Sequence, residues 1–310
     1  MSPAPSRPPV PDDAAPTGDE RPVRWVREVA AIIGVYLLYS LVRNQFGSAT
    51  VSAEHAYANA VRVIDLERAL QIFNEATVQS WFLGADRFLW VLNVYYGTLH
   101  FLVPIGVLVF LGLHHPASYR FWRTAIVATT AVAMVGFILF PLMPPRLLCD
   151  CPYGAGPVAA VDGQPAFVDT LAEYGGLWSF DSDTVQAVSN QYAAMPSLHV
   201  AWALWCAMAL LPHLRRRSAR TLAVAYPCAT TFAVVVTGNH FWLDAVGGVV
   251  ALAVGIGVAC LVRRLNVGGG DHAGTVARSP AAGADPPADV PSVAGAGAPH
   301  GTERRPHQEA

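Results

Sequence analysis

The chain has 310 residues, 53% of them hydrophobic and only 14% charged, with a formal net charge of −2. A soluble domain carries about 25% charged residues, so the composition argues for a membrane protein and against a soluble helical bundle. The near-neutral charge gives no sign of a nucleic-acid partner.

Residues 1–21 are rich in Pro and Ala and include Asp12, Asp13, Asp19 and Glu20. That is unlike the short basic start of a cleavable signal peptide, so they are expected to form a disordered cytoplasmic tail. The first apolar run, 26–43, then reads as a retained span. Residues 53–83 are not hydrophobic enough to cross a bilayer. Their apolar positions Ala60, Val63, Ile64, Leu66, Leu70 and Phe73 recur at roughly helical spacing, which predicts one or two amphipathic helices on the outer interface. Further runs at 88–112, 121–142, 197–212, 219–237 and 243–262 approach the roughly 20 residues that a spanning helix needs. The run at 197–212 is the shortest, because Pro212 ends it. From 266 to 310 the chain is dominated by Gly, Ala and Pro, too poor in apolar surface to order itself. The expectation is one membrane domain, 22–265, between two disordered tails. The expected fold is all-α, a six-transmembrane-helix bundle with an outward-facing active site.

Orientation rests on arginine alone, since the sequence has no lysine. Arg21, Arg24 and Arg27 precede the first run. Arg120 and Arg123 lie between the second and third, Arg215, Arg216, Arg217 and Arg220 between the fourth and fifth, and Arg263 and Arg264 after the sixth. The positive-inside rule puts these segments and both termini in the cytoplasm. The segments 44–87, 143–196 and 238–242 then face outward, on a protein expected in the plasma membrane.

Three stretches that face outward carry chemistry: FPLMPPRLL, ending at Leu148 and containing Arg146; MPSLH at 195–199; and GNHFWLD at 238–244. His240 and Asp244 are four apart, so on a helix they would share a face. A carboxylate there can fix the imidazole tautomer and leave the other nitrogen as nucleophile or base. His199 adds a second proton-transfer group. Pro196 can start a helix at the membrane surface, whose first-turn amides, with Ser197, can meet a phosphate. Arg146 offers bidentate phosphate contact. The set suits phosphoryl transfer through a phosphohistidine. The same residue types also suit zinc, and a non-catalytic lipid binder or transporter is a further alternative.

The motifs PPR, MPSLH and GNHFWLD resemble the type 2 phosphatidic acid phosphatase superfamily, and more narrowly its branch that includes the fungal inositol phosphorylceramide synthases. The resemblance spans roughly residues 30–262. It implies six spans, an extracytoplasmic site, metal-free chemistry and no cofactor. It also implies His240 as nucleophile, Asp244 as its partner, His199 as general acid, and Arg146 and Ser197 as phosphate ligands. The substrate would be a lipid phosphate or phosphodiester, and the acceptor either water or a polyol such as inositol. The chain departs from the wider superfamily at three points. Leu139 stands where the first motif has lysine, Leu198 where the second has glycine, and Ala233-Val234 where the third has Ser-Arg. Similar losses mark the inositol-transferring branch.

Other residues carry weaker signals. His114 and His115 fall at the cytoplasmic end of a span and read as interfacial. His100 reads as a buried, hydrogen-bonded histidine, and Tyr95 and Tyr96 as packing residues. The C-x-C spacing of Cys149 and Cys151 predicts no structural bridge, and Cys206, Cys228 and Cys260 read as small apolar residues. The outward loop 144–196 holds Asp150, Asp162, Asp169, Glu173, Asp181 and Asp183 against a single arginine. Its length suits a lid or binding surface, with acids free to bind a polyol.

Overall fold

In the computed structural model the described residues are 52–149, 165–176 and 191–276, together with Val26, Glu28, Ala30 and Gly34. All of the named elements are helical: α1 (Ala53–Ala69), α2 (Glu75–Ser80), α3 (Asp86–His114), α4 (Pro116–Leu139), α5 (Thr170–Tyr174), α6 (Leu198–Leu210), α7 (Arg217–Val236) and α8 (Trp242–Val276), with a 3₁₀ turn at Pro145–Leu147. A single parallel bridge joins Leu142 to Ala193.

Four of these helices are long and apolar enough to cross a membrane: α3, α4, α7 and the Trp242–Asn266 part of α8. At about 1.5 Å per residue, the 20 to 29 residues of these stretches reach roughly 30 Å or more, the thickness of a hydrocarbon core. Their outer faces carry Leu102, Leu113, Leu139, Leu222, Val250 and Leu261, all exposed, as lipid contact requires. The expected run at 197–212 forms α6, but with 13 residues it stops short of a full crossing. The expected first span, 26–43, lies outside the described residues except for four helical positions. One of them, Glu28, accepts hydrogen bonds from Tyr119 and Arg123 of α4. The expected tail at 1–21 lies outside the described residues, as do 277–310 of the expected tail at 266–310; the start of that second tail is not disordered but helical, since α8 continues to Val276.

The amphipathic segment is two helices, α1 and α2, joined at Gln71, which has φ of 58°. Ser52 caps α1 by accepting the His55 amide. The buried stripe of α1 is Ala56, Asn59, Ala60, Val63, Ile64 and Glu67, while Leu66 and Leu70 are exposed. The apolar periodicity therefore mislocates part of the inner face. Two polar residues, Asn59 and Glu67, turn inward because the chain they meet offers backbone partners. Asn59 donates to the Pro141 carbonyl at 2.8 Å. Ala56, Ala60, Val63 and Ile64 pack with Leu142, Leu147, Leu148, Phe167 and Phe241, so α1 rests on the three loops that carry the chemical motifs.

Close approach of α6 to α8 depends on glycine. A Cβ at Gly248 would stand 2.4 Å from the Ser197 carbonyl oxygen, and one at Gly247 would stand 3.2 Å from the Pro196 side chain. Only a bare backbone at this pair lets the start of α6 lie against α8.

Candidate active site

Helix α7 ends in a Schellman motif that sets the approach to His240. Gly238, at φ 67°, donates to the Val235 carbonyl, and Asn239 donates to that of Val234. These are the two bonds of the motif, with glycine at its left-handed position. A side chain at Gly238 would also meet Gln79 at 2.9 Å and Arg146 at 3.3 Å. The Gly238 carbonyl accepts the Arg146 amide at 2.7 Å. The backbone of the first motif is thus fastened two residues before His240.

His240 itself precedes α8 rather than lying on it, so the expected shared helical face does not form. The pair meets by another route. Asp244 is the third residue of α8, and its carboxylate folds back over the helix start, as the third residue of a capping box does. One oxygen, Oδ2, accepts both the Phe241 amide at 2.9 Å and His240 Nδ1 at 3.2 Å. Asp244 is fully buried and His240 nearly so. With Nδ1–H donated to the carboxylate, His240 Nε2 carries the lone pair. That nitrogen lies 3.4 Å from His199 Nδ1.

His199 is brought there by α6. Pro196 does not start this helix; Ser197 is its N-cap, fully buried, with Oγ accepting the Val200 amide at 3.4 Å. A capping hydroxyl satisfies an otherwise orphaned amide, so this oxygen already serves the helix while its O–H remains a donor. The Ser197 amide donates to the Asp244 carbonyl at 2.9 Å, tying the second motif to the third. Partly exposed His199 is held in an aromatic stack. Tyr96 lies 4.3 Å from it on one contact and His100 lies 3.9 Å away on another, with Trp202 against His100 at 4.6 Å. His100 Nδ1 is buried with no hydrogen-bond partner among the described residues, and the ring is stacked between His199 and Trp202. Tyr96 and His100 were legible only as an i, i+4 pair on one face of α3; nothing in the sequence ties them to His199.

Arg146 sits in the Pro145–Leu147 turn, nearly buried, and its Nη1 donates to Asp169 Oδ2 at 2.8 Å. Asp169 also caps α5 by accepting the Leu171 and Ala172 amides. Of the acids in the outward loop, Asp169 is therefore committed to the arginine rather than free for a polyol. Asp150, Asp162, Asp181 and Asp183 lie outside the described residues. Arg146 Nε has no partner among the described residues and remains a donor for an anion. The segment around Asp169 is bolted down by Gln79, which donates to the Val168 carbonyl and accepts its amide, and by Asn93, which donates to Thr170 and Gly175 carbonyls.

Cys149, against expectation, is disulfide-bonded, while Cys206, Cys228 and Cys260 are free. Whether a bridge forms depends on Cα separation and Cβ direction, which residue spacing alone does not report. No group of three or more His, Cys, Asp or Glu suited to a metal occurs among the described residues.

The structure thus gathers His240, Asp244, His199 and Ser197 into one hydrogen-bonded constellation, with Arg146 fastened beside it. No curated protein and no solved structure matches the chain. One family model does, over residues 61–258, and that stretch contains all five site residues. By that match the chain belongs to the PAP2 superfamily.

Proposed function

We propose that this protein is a membrane-embedded phosphotransferase acting on lipid phosphates or phosphodiesters, with an inositol-like alcohol as acceptor. Superfamily membership supports the phosphatase or phosphotransferase chemistry. The observation that carries the mechanism is the contact chain Asp244–His240–His199. His240 Nε2 attacks phosphorus, forming an N–P bond as the P–O bond to the lipid breaks. His199 gives its proton to the departing alkoxide oxygen. In the second half, His199 takes the proton of the acceptor hydroxyl, the acceptor oxygen bonds phosphorus, and the N–P bond breaks. Asp244 keeps its hydrogen bond to Nδ1 throughout, stabilising the ring as positive charge develops.

Distances add a requirement. Attack needs a nitrogen about 3–3.5 Å from phosphorus, and the acid must stand about 2.6–3.2 Å from the leaving oxygen. The two histidine nitrogens, 3.4 Å apart, must therefore part when a phosphoryl group enters between them. In this reading Arg146 Nε and the Ser197 hydroxyl donate to that group's oxygens. The active site faces outward in this reading, as the arginine distribution predicts.

Alcohol as acceptor rests on the motif resemblance, and water is the competing acceptor. Purified protein given a radiolabelled lipid donor with and without inositol separates them. With a lipid phosphate labelled at phosphorus as donor, a labelled inositol phosphate supports transfer, whereas free phosphate alone in both arms makes the enzyme a phosphatase.

A further inference from the structure

The first turn of α8 should leave its leading amides without partners, and neither His240 nor Phe241 supplies a side-chain cap. Two buried carboxylates from outside the helix take them instead. Glu67 Oε1, on α1, accepts the Leu243 amide at 2.8 Å, and Glu75 Oε1, on α2, accepts the Trp242 amide at 3.1 Å. Glu75 Oε2 accepts the Asn74 amide at 3.0 Å, and Asn74 Oδ1 accepts the Trp242 indole N–H at 2.9 Å. Glu67 and Glu75 are both fully buried. Asp244 takes the preceding amide, that of Phe241. Three successive amides at one helix start are thus held by three carboxylates, two of them reaching in from the helices that precede α3.

We infer that Glu67 and Glu75 are positioning residues: together they clamp the first turn of α8 and so hold Asp244 in the geometry that orients His240. Their role in turnover rests on the reading of His240 as nucleophile. The clamp itself does not. A buried carboxyl beside other carboxyl groups is more cheaply kept protonated than charged. Burial, the adjoining Glu75 carboxyl and Asp244 all push Glu67 up, to about 10. Glu67 is therefore neutral at pH 7, and its Oε1 serves as an acceptor without a charge. Glutamine supplies the same acceptor, which separates the clamp from any role of Glu67 as an acid or base.

The test uses the purified full chain in detergent with two readouts. The first is amide hydrogen exchange in the peptide covering residues 240–246, which needs no turnover. The second is kcat and KM with p-nitrophenyl phosphate, with His240→Ala as the control. Glu67→Met, which keeps the volume and removes the acceptor, should speed exchange in that peptide about tenfold or more. It should lower kcat by at least tenfold with KM within threefold. Glu67→Gln should restore both to within about twofold of the parent chain. Exchange unchanged in Glu67→Met overturns the clamp. Exchange that rises while kcat holds overturns its role in positioning His240. A parent chain whose turnover is unaffected by His240→Ala overturns the proposed reaction and leaves the exchange result to judge the clamp. Should Glu67→Met not accumulate, Glu67→Asp, which draws the acceptor back from the Leu243 amide by one methylene, is read in the same two ways, and no change in either overturns the inference.

Discussion

Asp244→Asn tests the centre of the mechanism, because it removes a charge and leaves the shape. In the structure Oδ2 serves two donors, the Phe241 amide at 2.9 Å and His240 Nδ1 at 3.2 Å, in a fully buried site. A hydrogen bond to a charged group contributes about 1.5–3 kcal/mol. At 1.36 kcal/mol per factor of ten, its loss alone predicts a fall in kcat of about 10- to 150-fold. A second effect adds to it. If the asparagine keeps its oxygen on Phe241 and turns its NH₂ to His240, Nδ1 must become the acceptor and the proton moves to Nε2, the attacking nitrogen. The same tautomer error in a serine-protease triad costs about 10⁴. The expected fall in kcat thus lies between about 10² and 10⁴, with KM within threefold. Rapid-quench measurement of acid-labile phosphoenzyme from a lipid phosphate reads the attack step, and circular dichroism with a melting curve confirms folding. A folded variant with less than a tenfold loss refutes the argument that Asp244 orients the nucleophile.

His240→Ala should abolish phosphoenzyme from every donor. His199→Ala should slow lipid donors, whose alkoxide needs a proton, yet spare p-nitrophenyl phosphate; equal loss on both removes the general-acid assignment. Asp169→Ala strips a buried arginine of its partner and should destabilise the fold by about 3–5 kcal/mol, read as a lowered melting temperature, and a melting temperature unchanged from the parent would contradict that ion pair. Glu67, pushed up to about 10 by burial and by the nearby Glu75 and Asp244 carboxyls, binds a proton in the folded chain that the unfolded chain has lost above about 4.5. Its contribution to stability therefore falls as pH rises from about 4.5 towards 10. Glu67→Gln cannot ionise, so its melting temperature should gain on the parent as pH rises through that window; a gap independent of pH would refute the reading of Glu67 as neutral in the folded chain. Cysteine introduced at exposed Glu54 should react with a membrane-impermeant thiol reagent in intact cells, and cysteine at exposed Ser218 should not; the reverse pattern overturns the outward-facing site.

The sequence by itself determined the elements whose physics is local or cumulative. Apolar runs of spanning length, bounded by arginines, located α3, α4, α7 and the start of α8 to within a few residues, because transfer of a helix into hydrocarbon depends on composition; the end of α8, at Val276, lies well past the expected 262. The motif residues His199, His240, Asp244, Ser197 and Arg146 could also be singled out in the sequence, and the structure brings them together. What only the tertiary structure decided was how they meet. Helical spacing suggested that His240 and Asp244 share a face, but the bond forms because Asp244 folds back over a helix start. Periodicity counted Leu66 and Leu70 with the inner face of α1, while Glu67 went inside, because an orphaned amide of α8 needed an acceptor there. Asp169 could not be told from the other loop acids, since its pairing with Arg146 spans 23 residues of chain and leaves no periodic trace. The same holds for the stack of Tyr96 and His100 on His199. Burial of polar groups is decided by which partner lies opposite, and a partner distant in sequence is set by the packing of the whole bundle.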